Sequence, residues 1–217
     1  VLYTTFNELS GFPKNDDSDI KLLANSGTNL VRCPAWYARG VLSGAVIHSF
    51  NKYADLGVNL CLGTDTFPMD MFREMRHGAI LGKAADRNRM RPGARDVFNA
   101  ATVNGARALS RDDLGKLRPG AKADIITVDT DKLELALKDD PVKSLVYMAN
   151  QTDIDRVIID GEFVVKDGEL LDADEEKLAE RANAVNQRQK DAFVRNHPRG
   201  KTETELFPPA FDNYMNS

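Results

Sequence analysis

The hydrophobic pattern is most informative at Val58-Asn59-Leu60-Cys61-Leu62, a nearly continuous apolar run that ends in Gly63-Thr64-Asp65. A run without alternation predicts a strand buried on both faces, as in parallel sheets. Asp65 then stands at the carboxyl end of that strand, where parallel α/β folds carry their ligands and chemistry. Upstream, Asn29-Leu30-Val31-Arg32-Cys33 predicts a second short strand, stopped by Pro34. Between them, Ala45 to Leu56 has a helical pattern with Val46, Ile47, Phe50, Tyr53 and Ala54 on one side, and Gly57 is placed to terminate it. Strand, helix, strand with short joints is a βαβ unit, which implies parallel strands and a right-handed crossover.

Flanking segments extend this picture. Residues 11–17 are turn-rich and read as a loop. Ser18 or Asp17 is the expected cap of a short helix from about Asp19 to Asn25, with Ile20, Leu23 and Ala24 as its apolar side. After Asp65, Asp70 is the expected N-cap of a helix from Met71 to Ala85, with Phe72, Met75, Ala79 and Gly82 inward. A further helix is expected from Ala94 to Leu109. Val97, Phe98, Ala101, Gly105 and Ala108 form its buried face, and Gly105 indicates close packing against a neighbour.

From Leu114 the texture changes to strands and turns. Ala123 to Val128 and Ile154 to Ile159 are strands, and Asp160-Gly161 is a tight hairpin turn into Glu162–Lys166. Asp167-Gly168 turns again towards Leu170-Leu171, completing a small antiparallel β unit separate from the α/β part. A polar helix from Asp174 to Val194 carries Leu178, Ala182, Val185 and Phe193 on one stripe, and the tail from Asn196 reads as extended or partly ordered.

Composition narrows the function class. Charged residues make up 29% and the net charge is −4, so the chain is not an obvious binder of nucleic acid or anionic membranes. No apolar run approaches the roughly 20 residues of a membrane span, and the first residues lack a signal-peptide pattern. The two cysteines, Cys33 and Cys61, both lie in apolar runs. A cytoplasmic location with buried, reduced thiols is the resulting expectation.

Few residues carry candidate chemistry. Asp65 is either a site carboxylate or a strand-end group that hydrogen-bonds the next turn. Trp36, Tyr37 and Arg39 follow the first predicted strand in a loop at the same end of the sheet. Trp36 there is either a pocket wall for a flat ring or ordinary loop packing. Phe67 and Met69, just past Asp65, are similar candidates. Asp70 and Glu74, one turn apart at a helix start, read as helix stabilisers. The three histidines are His48 and His77 on helices and His197 in the tail, and none is at a strand end.

Taken together, several segments resemble the amidohydrolase superfamily, in its deaminase and chlorohydrolase branch. Gly57 to Asp65 is similar to the eighth barrel strand, and Ala100 to Leu109 to the helix that follows it. Gly115 to Ile125 is similar to the return into the small β-sandwich, and Val157 to Gly168 to its closing strands. Ser26 to Pro34 is similar to the seventh-strand region. The resemblance implies an α/β fold: the late strands seven and eight of a (β/α)8 TIM barrel over 1–112, a small antiparallel β-sandwich over 113–171, and a C-terminal helix and tail over 172–217. It also implies metal-dependent hydrolysis, a deamination or dechlorination of a small heterocyclic substrate, in a homodimer. Asp65 matches the aspartate that binds the metal and shuttles the proton; the metal is zinc, with iron the alternative.

The sequence departs from that pattern in its histidines. The family's His-x-His pair has no counterpart, nor do the metal-binding histidines of strands five and six. A complete barrel takes about 250 residues, and two parallel strands alone leave an exposed apolar edge that proteins avoid. The expectation is therefore the C-terminal part of a larger protein, with the metal not retained by this chain alone. The alternative is a truncated or divergent relative that acts as a non-catalytic assembly module.

Overall fold

The structure, a computed structural model, describes residues 17–39, 50–65, 67–137 and 139–211. The chain divides into two compact units, Val1–Glu169 and Leu170–Ser217.

The first unit opens with α1 (Asp17–Asn25), which buries Ile20. Strand β1 (Asn29–Arg32) is followed directly by α2 (Pro34–Arg39), then by α3 (Phe50–Asp55) and β2 (Asn59–Leu62). The strands pair in parallel, Asn29 opposite Asn59 through Arg32 opposite Leu62, as the βαβ pattern predicts. Of the helix expected over 45–56, residues 45–49 lie outside the described residues. Its end is capped as the sequence indicates: Gly57 adopts φ 93, and the N–H groups of Gly57 and Val58 donate to the carbonyls of Ala54 and Tyr53.

Helix α4 (Met71–Asp86) starts at the predicted cap: Asp70 accepts from the N–H groups of Phe72 at 2.9 Å and Arg73 at 3.2 Å. The helix expected over 94–109 is instead two, α5 (Ala94–Ala101) and α6 (Val103–Ala108). Thr102 breaks it with φ −125 and ψ −94, and its hydroxyl donates back to the Phe98 carbonyl at 2.7 Å. Such back-bonding from a β-branched residue loosens a helix. The expected close packing at Gly105 is also absent: among the described residues, a Cβ there would meet nothing within 4 Å.

The β unit is one antiparallel sheet in the order β3 (Ile125–Val128), β4 (Ile154–Ile159), β5 (Glu162–Lys166), β6 (Glu169–Leu170). Among the described residues no second sheet packs on it, so the expected sandwich is seen as a single layer. Asp160 and Gly161 both take positive φ, 51 and 92, which matches the strand twist of a two-residue hairpin.

Helix α7 (Pro141–Tyr147) is an element the hydrophobic pattern did not predict. Its start is nonetheless encoded, with Asp140 as N-cap and Pro141 in the first turn. Through α7 one hydrophobic core joins both halves of the unit: Leu135, Val146 and Ala149 pack in the same cluster as Leu30, Leu60, Met75 and Val97. Two polar ties reinforce it. Arg76 donates to the Ala149 carbonyl at 2.6 Å, and Lys83 to the Tyr147 hydroxyl at 2.9 Å.

In the second unit, α8 (Glu175–Arg195) is capped by Asp174, which accepts from the Lys177 N–H. The tail is not simply extended. It holds α9 (Glu203–Leu206), started by a capping box in which Thr202 and Glu205 satisfy each other's N–H groups. Among the described residues no helix is long and apolar enough to cross a membrane.

Candidate active site at the carboxyl ends of the parallel strands

Past the last paired residues, the Gly63 N–H donates to the Arg32 carbonyl at 2.8 Å, so the parallel ladder runs on beyond Leu62. The approach is tight: a Cβ on Gly63 would lie 3.0 Å from Val31 Cγ1 and 3.3 Å from Cys33 Sγ. A Cβ here would press on those two side chains, which glycine avoids. Asp65 follows two residues later, exposed, with φ 46. Left-handed backbone is tolerated by few residue types, aspartate among them, and it collects at functional sites.

Helix α2 leaves the same end of the sheet. Trp36, Tyr37 and Arg39 therefore sit on a short helix, and the loop expected for them is corrected. The cause is local. Pro34 is preset for a first helical position, and the orphan N–H of Ala35 finds an acceptor in the Glu74 carboxylate at 3.0 Å. Trp36 is half-buried. On the other side of Asp65, Phe67 and Met69 are 75% and 65% exposed. Topology thus brings Asp65, α2 and the Phe67–Met69 segment to one end of the sheet.

The reading of Asp70 and Glu74 as two helix stabilisers holds for Asp70 alone. Glu74 is 1% exposed and turned across to α2. Burial pushes its carboxyl up to about 7, against the opposing effect of the Ala35 N–H, with Asp70 raising and Arg73 lowering it further. A signal for this was present: Glu74, Gly78 and Gly82 recur at four-residue spacing, and all three are buried. A carboxylate in line with two buried glycines faces a packed neighbour, not water.

Neither described histidine lies on a parallel strand. His77 is on α4, half-buried, with Nδ1 buried and without a hydrogen-bond partner among the described residues. Burial, then Arg73 and Arg76, hold its pKa down. His197 accepts from the Arg199 N–H in the second unit. His48 lies outside the described residues. Both cysteines are buried thiols. Cys61 donates to the Asn104 carbonyl at 3.3 Å, and burial raises its pKa.

At the opposite, amino end of the strands, Asn59 donates to Asn29 Oδ1 at 2.7 Å and to the Asn104 carbonyl at 3.0 Å. Asn104 donates back to the Leu60 carbonyl at 2.9 Å. This closed network ties α6 to the sheet at that end.

Asp65 is one carboxylate, and a zinc shell needs several ligands. Among the described residues no group of three or more His, Cys, Asp or Glu side chains could hold a metal ion. The described residues do not, by themselves, fit a metal.

Comparison with known proteins bears on both fold and site. The 5-methylthioadenosine/S-adenosylhomocysteine deaminase of Acetivibrio thermocellus is 35% identical over 167 residues, 75% of this chain and 38% of that protein. The 5'-deoxyadenosine deaminase of Methanosarcina mazei is 36% identical over 170 residues, 76% of this chain and 38% of that protein. The chain therefore spans about two-fifths of the length of these relatives. A crystal structure of an adenosine deaminase from Xanthomonas campestris with bound zinc superposes with a TM-score of 0.73 at 30% identity, over 80% of this chain and 40% of that one. The parallel βαβ unit and its helices thus share the α/β fold of these enzymes. A match to the amidohydrolase family runs over residues 4–164, through β1 and the Asp65 turn and into the antiparallel sheet, and on that evidence the chain belongs to the amidohydrolase family.

Proposed function

We propose that this chain supplies the seventh and eighth barrel strands of a metal-dependent amidohydrolase that deaminates a small amino-heterocycle. Adenosine derivatives are the substrate class to test first, since relatives at 35% and 36% identity carry the names of such deaminases. The observation that carries the reading is Asp65, presented at the carboxyl end of β2 just beyond Gly63, where a Cβ would crowd the Val31 and Cys33 side chains.

In this reading Asp65 takes the proton of the attacking water and delivers it to the departing nitrogen. Oxygen bonds to the ring carbon, the carbon–nitrogen bond breaks, and ammonia leaves. What a divalent ion supplies when bound, zinc by resemblance and iron as the alternative, is a water acidic near neutral pH. Among the described residues Asp65 is the donor placed for it, and the remaining ligands come from outside them. Trp36, Tyr37 and Arg39 on α2 and Phe67 beyond Asp65 form the substrate side, with Trp36 as a wall for the flat ring. In this reading 1–112 is the late barrel portion and 113–171 a portion of the sandwich, sharing one core within the first compact unit, and 172–217 is the C-terminal helix and tail.

The experiment is ammonia release by the protein that carries this chain in its complete reading frame. Substrates are 5'-methylthioadenosine, S-adenosylhomocysteine and adenosine, with a chlorinated triazine as the contrast. Ammonia from an adenosine derivative is the expected result. Halide release alone would move the protein to the dechlorinating branch. Neither product, together with no bound metal, would favour the non-catalytic alternative.

A further inference from the structure

Glu74 is an expensive residue for its position. It is 1% exposed, and a buried carboxyl is costly where an apolar side chain of similar size would pack as well. What the carboxyl offers that leucine cannot is a directed acceptor, used by the Ala35 N–H at 3.0 Å across 39 residues of sequence. Ala35 belongs to the first turn of α2, a helix of 6 residues. So short a helix is not stable alone, and its position follows from whatever holds its first turn. One turn beyond Glu74, a Cβ built on Gly78 would lie 3.5 Å from the Pro34 ring. Glu74 and Gly78 together therefore make a seat on α4 for Pro34-Ala35.

Two chain segments meet at this seat. Helix α4 continues the segment that contains Asp65, while α2 continues β1 and carries Trp36. We infer that Glu74 is a positioning residue for the active site: its carboxyl ties α2 to α4 and so sets where Trp36 stands relative to Asp65. For its catalytic meaning this rests on the active-site reading above, whereas the tie itself can be tested without turnover or metal.

Trp36 is the single tryptophan of the chain, and it directly follows Ala35. Its emission and acrylamide quenching in the 217-residue chain report on α2 alone. Glu74→Gln keeps the length and an acceptor oxygen, whereas Glu74→Asp keeps the charge and is one methylene too short. The expected order is wild-type emission for Glu74→Gln, and red-shifted, more quenchable emission for Glu74→Asp. The reverse order, which a charge effect would give, and identical spectra in both variants would each overturn the inference. Hydrogen exchange of the Ala35 amide covers the case in which Glu74→Asp fails to fold. In wild type this amide should exchange roughly ten- to hundredfold more slowly than an open loop amide. Unprotected exchange in wild type would overturn the inference without any variant. Loss of deaminase activity in every assay would sink the functional reading and leave these outcomes standing.

Discussion

The backbone N–H of Gly63 reaches the carbonyl of Arg32 at 2.8 Å, which carries the β1–β2 ladder past the last paired side chains. A Cβ at Gly63 would stand 3.0 Å from Val31 Cγ1 and 3.3 Å from Cys33 Sγ, so the junction leaves little room for a side chain. Gly63→Val should therefore overpack the junction, costing about 1–3 kcal/mol. Chemical denaturation measures this, and a variant as stable as wild type would show that the strand ends are free to separate.

The buried carboxyl of Glu74 makes stability depend on pH, with a defined sign. Its folded-state pKa is about 7, raised from 4.5 first by burial. The neutral acid is therefore favoured in the folded state. The contribution is complete below about pH 4.5, declines as pH rises towards 7, and is lost above it. Glu74→Gln, neutral at every pH, should match wild type near pH 4.5 and exceed it at pH 8 by on the order of 3 kcal/mol. Denaturation midpoints of both proteins across this range provide the check. Parallel pH profiles would mean that Glu74 titrates as an ordinary surface carboxylate.

Val146 on α7 is fully buried in the core that also holds Val97 and Met75. Val146→Ala should cost roughly 1–3 kcal/mol, and circular dichroism and Trp36 fluorescence should report one coincident transition. Two separate transitions would indicate that the β unit and the parallel unit are stabilised independently.

Much of this arrangement is legible in the sequence because its signals are local. The run ending at Leu62, the Gly57 stop, the Asp70 cap and the Asp160-Gly161 turn each encode their own geometry within a few residues. Most of what escaped depends on partners distant in sequence. Glu74 looks like a surface helix residue until Ala35, 39 residues away, is seen to need its oxygen. Helix α2 looks like a loop because Pro34 reads as a strand stop, while its role as a first helical residue appears only once α4 seats it. The Thr102 break was hidden inside a continuous helical pattern, since a hydroxyl's choice of the Phe98 carbonyl leaves no trace in hydrophobic periodicity. The site was legible to the same degree: the strand that presents Asp65 was evident, and the tie that orients the helix beside it was not.

In the proposed hydrolytic deamination, Asp65 moves the proton. The most direct measurement is the rate of ammonia release from 5'-methylthioadenosine by the protein carrying Asp65→Asn in its complete reading frame, relative to wild type. A folded variant with turnover reduced by about 10²–10⁴-fold is expected, the range associated with losing a general acid–base group. An Asp65→Asn protein that releases ammonia at the wild-type rate would contradict that role.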